Sequence, residues 1–262
     1  MNKKEIMIVT TDITDLEKQF IESPKPIKAS LGKTILWLAV ILFLPQLLLY
    51  FCFGFYFNIQ TNDLTQEAAN TWSSSIKVIL VLLLMTPFIT LPLLNIATPA
   101  KKWHERFHFW ALNAISVKLL CIWLGVGITF WLFSSLLGEW LNLPVEQFML
   151  DVKAASNSAP MIALVIVTVC IVVPIMEEVI FRGWLFSKLV QTKLSNIGAM
   201  GLSALLFTLI HTQYDNFSTF LMILLLGFLL GLVRFISGNT NYCIAIHILF
   251  NSLSTLALFF FI

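Results

Sequence analysis

Residues 161–186 read MIALVIVTVCIVVPIMEEVIFRGWLF, an apolar run with no charge until Glu177 and Glu178 and no cation until Arg182. About 20 apolar residues in a helix cross the hydrocarbon core of a bilayer. The run therefore reads as a membrane span with ionisable groups inside it. Outward from it, six more apolar runs follow the same logic: Thr34 to Phe57, Ile76 to Thr98, Ser116 to Leu137, Gly198 to Ile210, Phe220 to Phe235 and Cys243 to Ile262. The expected fold is an all-α membrane protein, a polytopic helical bundle of about seven transmembrane helices.

Composition agrees. Of 262 residues, 58% are hydrophobic and 11% charged, which excludes a soluble globule and intrinsic disorder. With 16 Lys and Arg against 14 Asp and Glu, the net charge of +2 leaves no electrostatic footprint for a nucleic acid. Cys52, Cys121, Cys170 and Cys243 fall inside apolar runs with no C-x-x-C pair, and read as small core residues. The chain is expected to divide into a cytoplasmic N-terminal tail (1–33), accessory transmembrane helices (34–150) and a transmembrane core (151–262) that holds the intramembrane ionisable residues. In the tail, Ile13, Leu16 and Phe20 are spaced for a short interfacial helix. Alternating seven spans gathers the tail lysines, Lys101, Lys102, Arg106, Lys118, Arg182, Lys188, Lys193 and Arg234 on one face, with only Lys77 and Lys153 opposite. Cations collect on the cytoplasmic side, so the N-terminus is expected inside and the C-terminus outside.

A charge inside a span is costly unless it is paired or functional, and the residues to explain are Glu177, Glu178, Arg182, His211 and His247. Glu178 and Arg182, four apart on a helix, account for each other as an ion pair. That leaves Glu177 as a general-base candidate. Pro160, preceded by Asn157 and Ser158, marks a helix start, and the pattern runs to a polar break near Ser195 and Asn196. In an antiparallel hairpin turning there, Glu177 lies about 28 Å and His211 about 22 Å from the turn, at about 1.5 Å per residue. His247 shares a face with Asn251, and Phe207 with His211, by the same four-residue spacing. One buried pocket can then gather a carboxylate, two imidazoles and an amide.

These residues resemble three motifs of the CPBP intramembrane proteases, the family of the CAAX prenyl endopeptidases and the bacterial Abi proteins of bacteriocin processing and self-immunity. Glu177-Glu178-Val179-Ile180-Phe181-Arg182 matches E-E-x-x-x-R, Phe207 to His211 matches F-x-x-x-H, and His247 to Asn251 matches H-x-x-x-N. The resemblance spans roughly Pro160 to Leu253 and implies peptide-bond hydrolysis within the membrane. It makes Glu177, His211, His247 and Asn251 catalytic: Glu177 activates water with help from His211, and His247 with Asn251 stabilises the oxyanion. Glu178 and Arg182 support the base. The implied partners are a peptide or protein substrate and the lipid bilayer, with no nucleic acid. The implied place is the bacterial plasma membrane, as a multi-pass protein. Zinc held by His211, His247 and Glu177 is allowed by the donor types, as is a glutamate acting alone.

Two alternatives stand beside this reading. One is a non-catalytic immunity protein that binds a toxin or its receptor. The other is a zinc protease built on His104-Glu105-Arg106-Phe107-His108, a literal H-E-x-x-H. Lys101, Lys102 and Arg106 place that motif at a basic membrane edge, a poor setting for a dication. An amphipathic interfacial segment anchored by Trp103, Phe107 and Trp110 is the preferred account of it. Gly227 and Gly231 read as a close helix contact, and Pro45, Pro87, Pro92 and Pro174 as kinks.

Overall fold

The computed structural model describes residues 29–61 and 65–261, and every regular element among them is helical. In chain order these are α1 (Leu31–Thr61), α2 (Gln66–Ser73), α3 (Ile76–Met85), α4 (Pro87–Ala97), α5 (Trp103–Phe109), α6 (Val117–Trp140) and α7 (Gln147–Ala155). They are followed by α8 (Ala159–Leu189), α9 (Asn196–Leu209), α10 (Phe217–Ser237) and α11 (Thr240–Phe261). Six helical stretches are long and apolar enough to cross a membrane, with α3 and α4 together making one of them, so this is a multi-pass membrane protein. The expected tail helix around Ile13, Leu16 and Phe20 lies outside the described residues.

The seventh expected span, α9, is a helix of 14 residues, about 21 Å long at about 1.5 Å per residue. Ser195 caps it by accepting the Gly198 N–H at 3.1 Å, and its chain ends just before His211. α9 packs along α10, where Gly227 lets the backbones close up: a Cβ there would stand 3.2 Å from Ala204 Cα. α11 runs through the middle of the bundle, against α6, α8 and α10.

The prolines act at different levels of the ladder. Pro87 opens α4 at a break after Met85, while Pro45 and Pro92 sit inside their helices. Around Pro174, α8 is not a plain α-helix: Ile166–Val172 and Val179–Leu185 are π-helical, bracketing the α-helical turn Val173–Glu178. A proline lacks the N–H that its position would donate. Immediately before it, the Val173 N–H reaches Thr168 O, five residues back. π-bulges absorb such offsets and recur at functional sites. Here the two bulges flank Glu177 and Glu178.

Two expectations about side chains are corrected by packing. Trp110 is not an interfacial anchor: it is buried, its indole N–H bonds Thr98 Oγ1 at 2.9 Å and its carbonyl accepts from Thr240 Oγ1 at 2.7 Å. Trp103 and Phe107 are exposed, as an interfacial pair should be. Arg182, 1% exposed, lies in the bundle interior, as its expected pairing with Glu178 requires. Of the free cysteines, Cys170 and Cys243 are core residues, whereas Cys52 and Cys121 lie on the outer surface.

Candidate active site

Glu177 and Glu178 are neighbours on α8 and point into different surroundings. Glu178 is fully buried, and its Oε1 accepts from Arg182 Nη1 at 3.0 Å, the i,i+4 pair that the spacing requires. The same oxygen lies 2.9 Å from His247 Nδ1 on α11. An ionised carboxylate only accepts, so Nδ1 carries the proton and Nε2 is turned the other way. Nε2 stands 3.7 Å from Glu177 Oε2. The Glu178–Arg182 pair therefore holds the histidine, and through it faces Glu177.

Glu177 itself accepts no hydrogen bond among the described residues, and 17% of its side chain remains exposed to the cavity it borders. That cavity is about 760 Å³, within the range of small-molecule and peptide pockets. His211, His247, Phe207 and Asn251 share its wall with Glu177, so all four residues expected to be catalytic meet there. His211 donates through Nδ1 to Phe207 O at 2.7 Å, which leaves the Nε2 lone pair free to accept. Asn251 spends one amide N–H on Val169 O, in the first π-helical stretch, at 3.0 Å. Its second N–H is left for the cavity.

Phe207 is the hub. Arg182 lies over its ring at 4.4 Å, and the rings of Phe181, His211 and His247 meet it edge-on at 5.3, 4.7 and 5.8 Å. Arg182 also donates to Gly227 O at 3.0 Å, while Arg234 Nε donates to the Arg182 carbonyl at 3.0 Å. A cation, an aromatic ring and two imidazoles thus set one another's positions.

Two cavity residues were not singled out from sequence. Glu146 accepts the backbone N–H groups of Asp215 and Asn216 at 3.1 and 3.3 Å, so it closes the N-terminus of α10 from a neighbouring loop. Burial pushes its carboxyl up, yet the hydrogen bonds from Thr219, Asp215 and Asn216 together hold it below its ordinary range. The available signal was an acid stranded in the apolar stretch Leu143-Pro144-Val145. Tyr214 stands beside His211, and nothing in its spacing marks it.

The H-E-x-x-H segment is elsewhere and otherwise employed. On the exposed α5, Glu105 Oε2 accepts the backbone N–H groups of Lys102 and Lys101, each at 3.2 Å, and these bonds hold its carboxyl below the ordinary range. Among the described residues, no group of three or more His, Cys, Asp or Glu is arranged to hold a metal ion, either there or around Glu177. Glu178 and Phe207 hold the Nδ1 atoms of the two cavity histidines, which leaves both Nε2 atoms on the side of the cavity and Glu177, the outer-sphere arrangement that metal-ligating histidines commonly have.

The model of the family described as Type II CAAX prenyl endopeptidase Rce1-like matches residues 159–253, the segment that builds this cavity wall. A protein of Escherichia coli described as an uncharacterized 24.3 kDa protein is 31% identical over 172 residues, which cover 55% of this chain and 77% of that one. No solved structure matches. With its three motifs converging on one intramembrane cavity, the chain belongs to the CPBP family of intramembrane proteases.

Proposed function

We propose that this chain is an active intramembrane endopeptidase that cuts a peptide or the tail of a membrane protein, with Glu177 as general base. The observation that carries this is the division of labour between the paired glutamates: Glu178 is fully buried with its Oε1 shared by Arg182 and His247, whereas Glu177 borders the cavity without a hydrogen bond. A water in the cavity donates to the Glu177 carboxylate and the His211 Nε2 lone pair. Its oxygen attacks the scissile carbonyl carbon as Glu177 takes the proton. Asn251 donates its free N–H to the developing oxyanion, and His247, steadied by Glu178, gives a second donor at Nε2 with a proton taken from solvent before attack and kept through the cycle. Collapse breaks the C–N bond, and the proton on Glu177 passes to the leaving amine. Acid and amine leave, and Glu177 is again a carboxylate. No step is routed through a metal.

Purified protein in bilayer discs, given a mixed library of quenched peptides, tests the reading directly. Turnover is expected, and its absence with every peptide favours a binding role instead. Elemental analysis of the same active preparation and of His211→Ala decides the cofactor. The expected result is no stoichiometric zinc in an active enzyme; near-stoichiometric zinc that the variant loses restores the metal set His211, His247 and Glu177.

A further inference from the structure

The loop joining α9 to α10 carries His211 into the cavity, and three residues on it carries Tyr214. The Tyr214 ring lies nearly parallel to the His211 imidazole, at 15° with centroids 6.2 Å apart, and meets Phe148 edge-on at 6.2 Å. The ring is thus seated on one side by a catalytic candidate and on the other by α7. Its hydroxyl is less well served. The Gln213 side chain hydrogen-bonds the phenol, and the O–H itself reaches only Met149 Sδ at 3.8 Å. A thioether is a weak acceptor. A donor in a largely apolar cavity, held by so poor a partner, is free to exchange it for a better one, and a peptide carbonyl is better.

Charge keeps it a donor. Burial pushes the phenol up to about 12, against the Gln213 hydrogen bond, and the Glu177 and Glu146 carboxylates add to the rise. The hydroxyl keeps its proton across the range in which a glutamate base works. The described residues around it are those two acids, His211, the Gln213 amide, Met149 and Phe148, and among the described residues no Lys or Arg lines this cavity.

We propose that Tyr214 is a further catalytic residue of this site: its phenol O–H leaves Met149 and donates to the scissile carbonyl oxygen of a peptide lying beside His211. The inference rests on the endopeptidase reading above. It adds a donor from the α9–α10 loop to those from α11, so that the carbonyl is gripped from two elements. No bond to Tyr214 forms or breaks; its proton is shared with the oxyanion and returns as the intermediate collapses.

The test uses the full chain in bilayer discs, with turnover per folded protein read on the best library peptide. Tyr214→Phe keeps the ring against His211 and removes only the hydroxyl. It is expected to lose about 10²-fold in kcat with KM nearly unchanged, the cost of one oxyanion donor. Tyr214→Leu, which also removes the stacked ring, should lose more. Replacing Tyr214 by 3,5-difluorotyrosine, whose phenol ionises more readily, is expected to bring the alkaline limb of kcat to lower pH, a shift that a purely structural ring does not produce. This variant decides the matter should Tyr214→Phe fail to accumulate. Wild-type turnover by Tyr214→Phe, or an unmoved alkaline limb, overturns the proposal. Full activity in Glu177→Ala overturns the general-base reading separately, because the Tyr214→Phe ratio is still measured. A wild type that cuts nothing overturns both.

Discussion

Glu105 and Glu177 each sit among histidines, and the two regions put the same side-chain types to opposite uses. On α5 the carboxylate turns back on its own backbone and accepts two N–H groups at the surface. His104 and His108 are exposed beside it. On α8 the local needs are met by other groups: Arg182 pairs with Glu178, and π-helical turns shift the ladder around Pro174. Glu177 is then left to face a cavity. A glutamate is available for chemistry when its neighbours have already satisfied the backbone and the buried cations. A short motif does not report that condition, whereas burial and hydrogen bonds do.

The sharpest way to break this contrast is to neutralise both acids. Glu177→Ala should lose about 10²- to 10⁴-fold in turnover, the scale of general-base catalysis. Glu105→Ala should stay within about twofold of wild type. The reverse ranking moves the chemistry to α5. Next comes the partner of the buried cation. Glu178→Ala leaves Arg182 unpaired in the interior, and breaking such a pair costs about 3–5 kcal/mol, so a steep fall in thermal stability and abundance is expected. A Glu178→Ala protein as stable as wild type removes the ion pair from the account.

Asn251 comes third. Asn251→Ala should keep normal abundance, since interhelical hydrogen bonds in membranes average about 0.6 kcal/mol, and should lose about 10²- to 10³-fold in kcat. Asn251→Asp, which aims negative charge at an oxyanion, should be no better. A variant that vanishes from the membrane assigns Asn251 to the Val169 contact alone. The smallest effect belongs to Glu146. Its carboxyl is depressed in the folded chain, so its contribution is present above the unfolded carboxylate range and fades as pH falls through the folded value. Glu146→Gln should cost about 1 kcal/mol at neutral pH, as lost helix caps do, with the gap to wild type closing in acid. A gap that does not change with pH shows that shape and not charge closes α10.

What could be read from the chain beforehand follows from periodicity. Hydrocarbon thickness sets the run length, and the four-residue repeat put Glu178 with Arg182, His247 with Asn251 and Phe207 with His211 on common faces. The hairpin level argument placed Glu177 and His211 together, and both line one cavity, although Val179–Leu185 is π-helical and His211 lies just past the end of α9, so the rise per residue was only a guide. Contacts between helices distant in sequence were not legible. Glu178 bonding His247 depends on how α11 is rotated against α8, which no local spacing encodes. Trp110 looked like an anchor because aromatic residues cluster at membrane edges, and its burial between Thr98 and Thr240 shows it to be core. The roles of Glu146 and Tyr214 arise in loops, where there is no period to follow.

The shortness of α9 bears on the supply of the second reactant. A helix of about 21 Å does not match a hydrocarbon core of about 30 Å, and a bilayer around such an element thins or dimples to meet its polar end. The polar end in this case is the His211–Asn216 loop at the cavity. Lipid that dips toward this loop brings bulk solvent to the reacting groups without a dedicated channel. Hydration of the site is then a property of the membrane as well as of the protein, and a thicker bilayer is expected to slow turnover by withholding water.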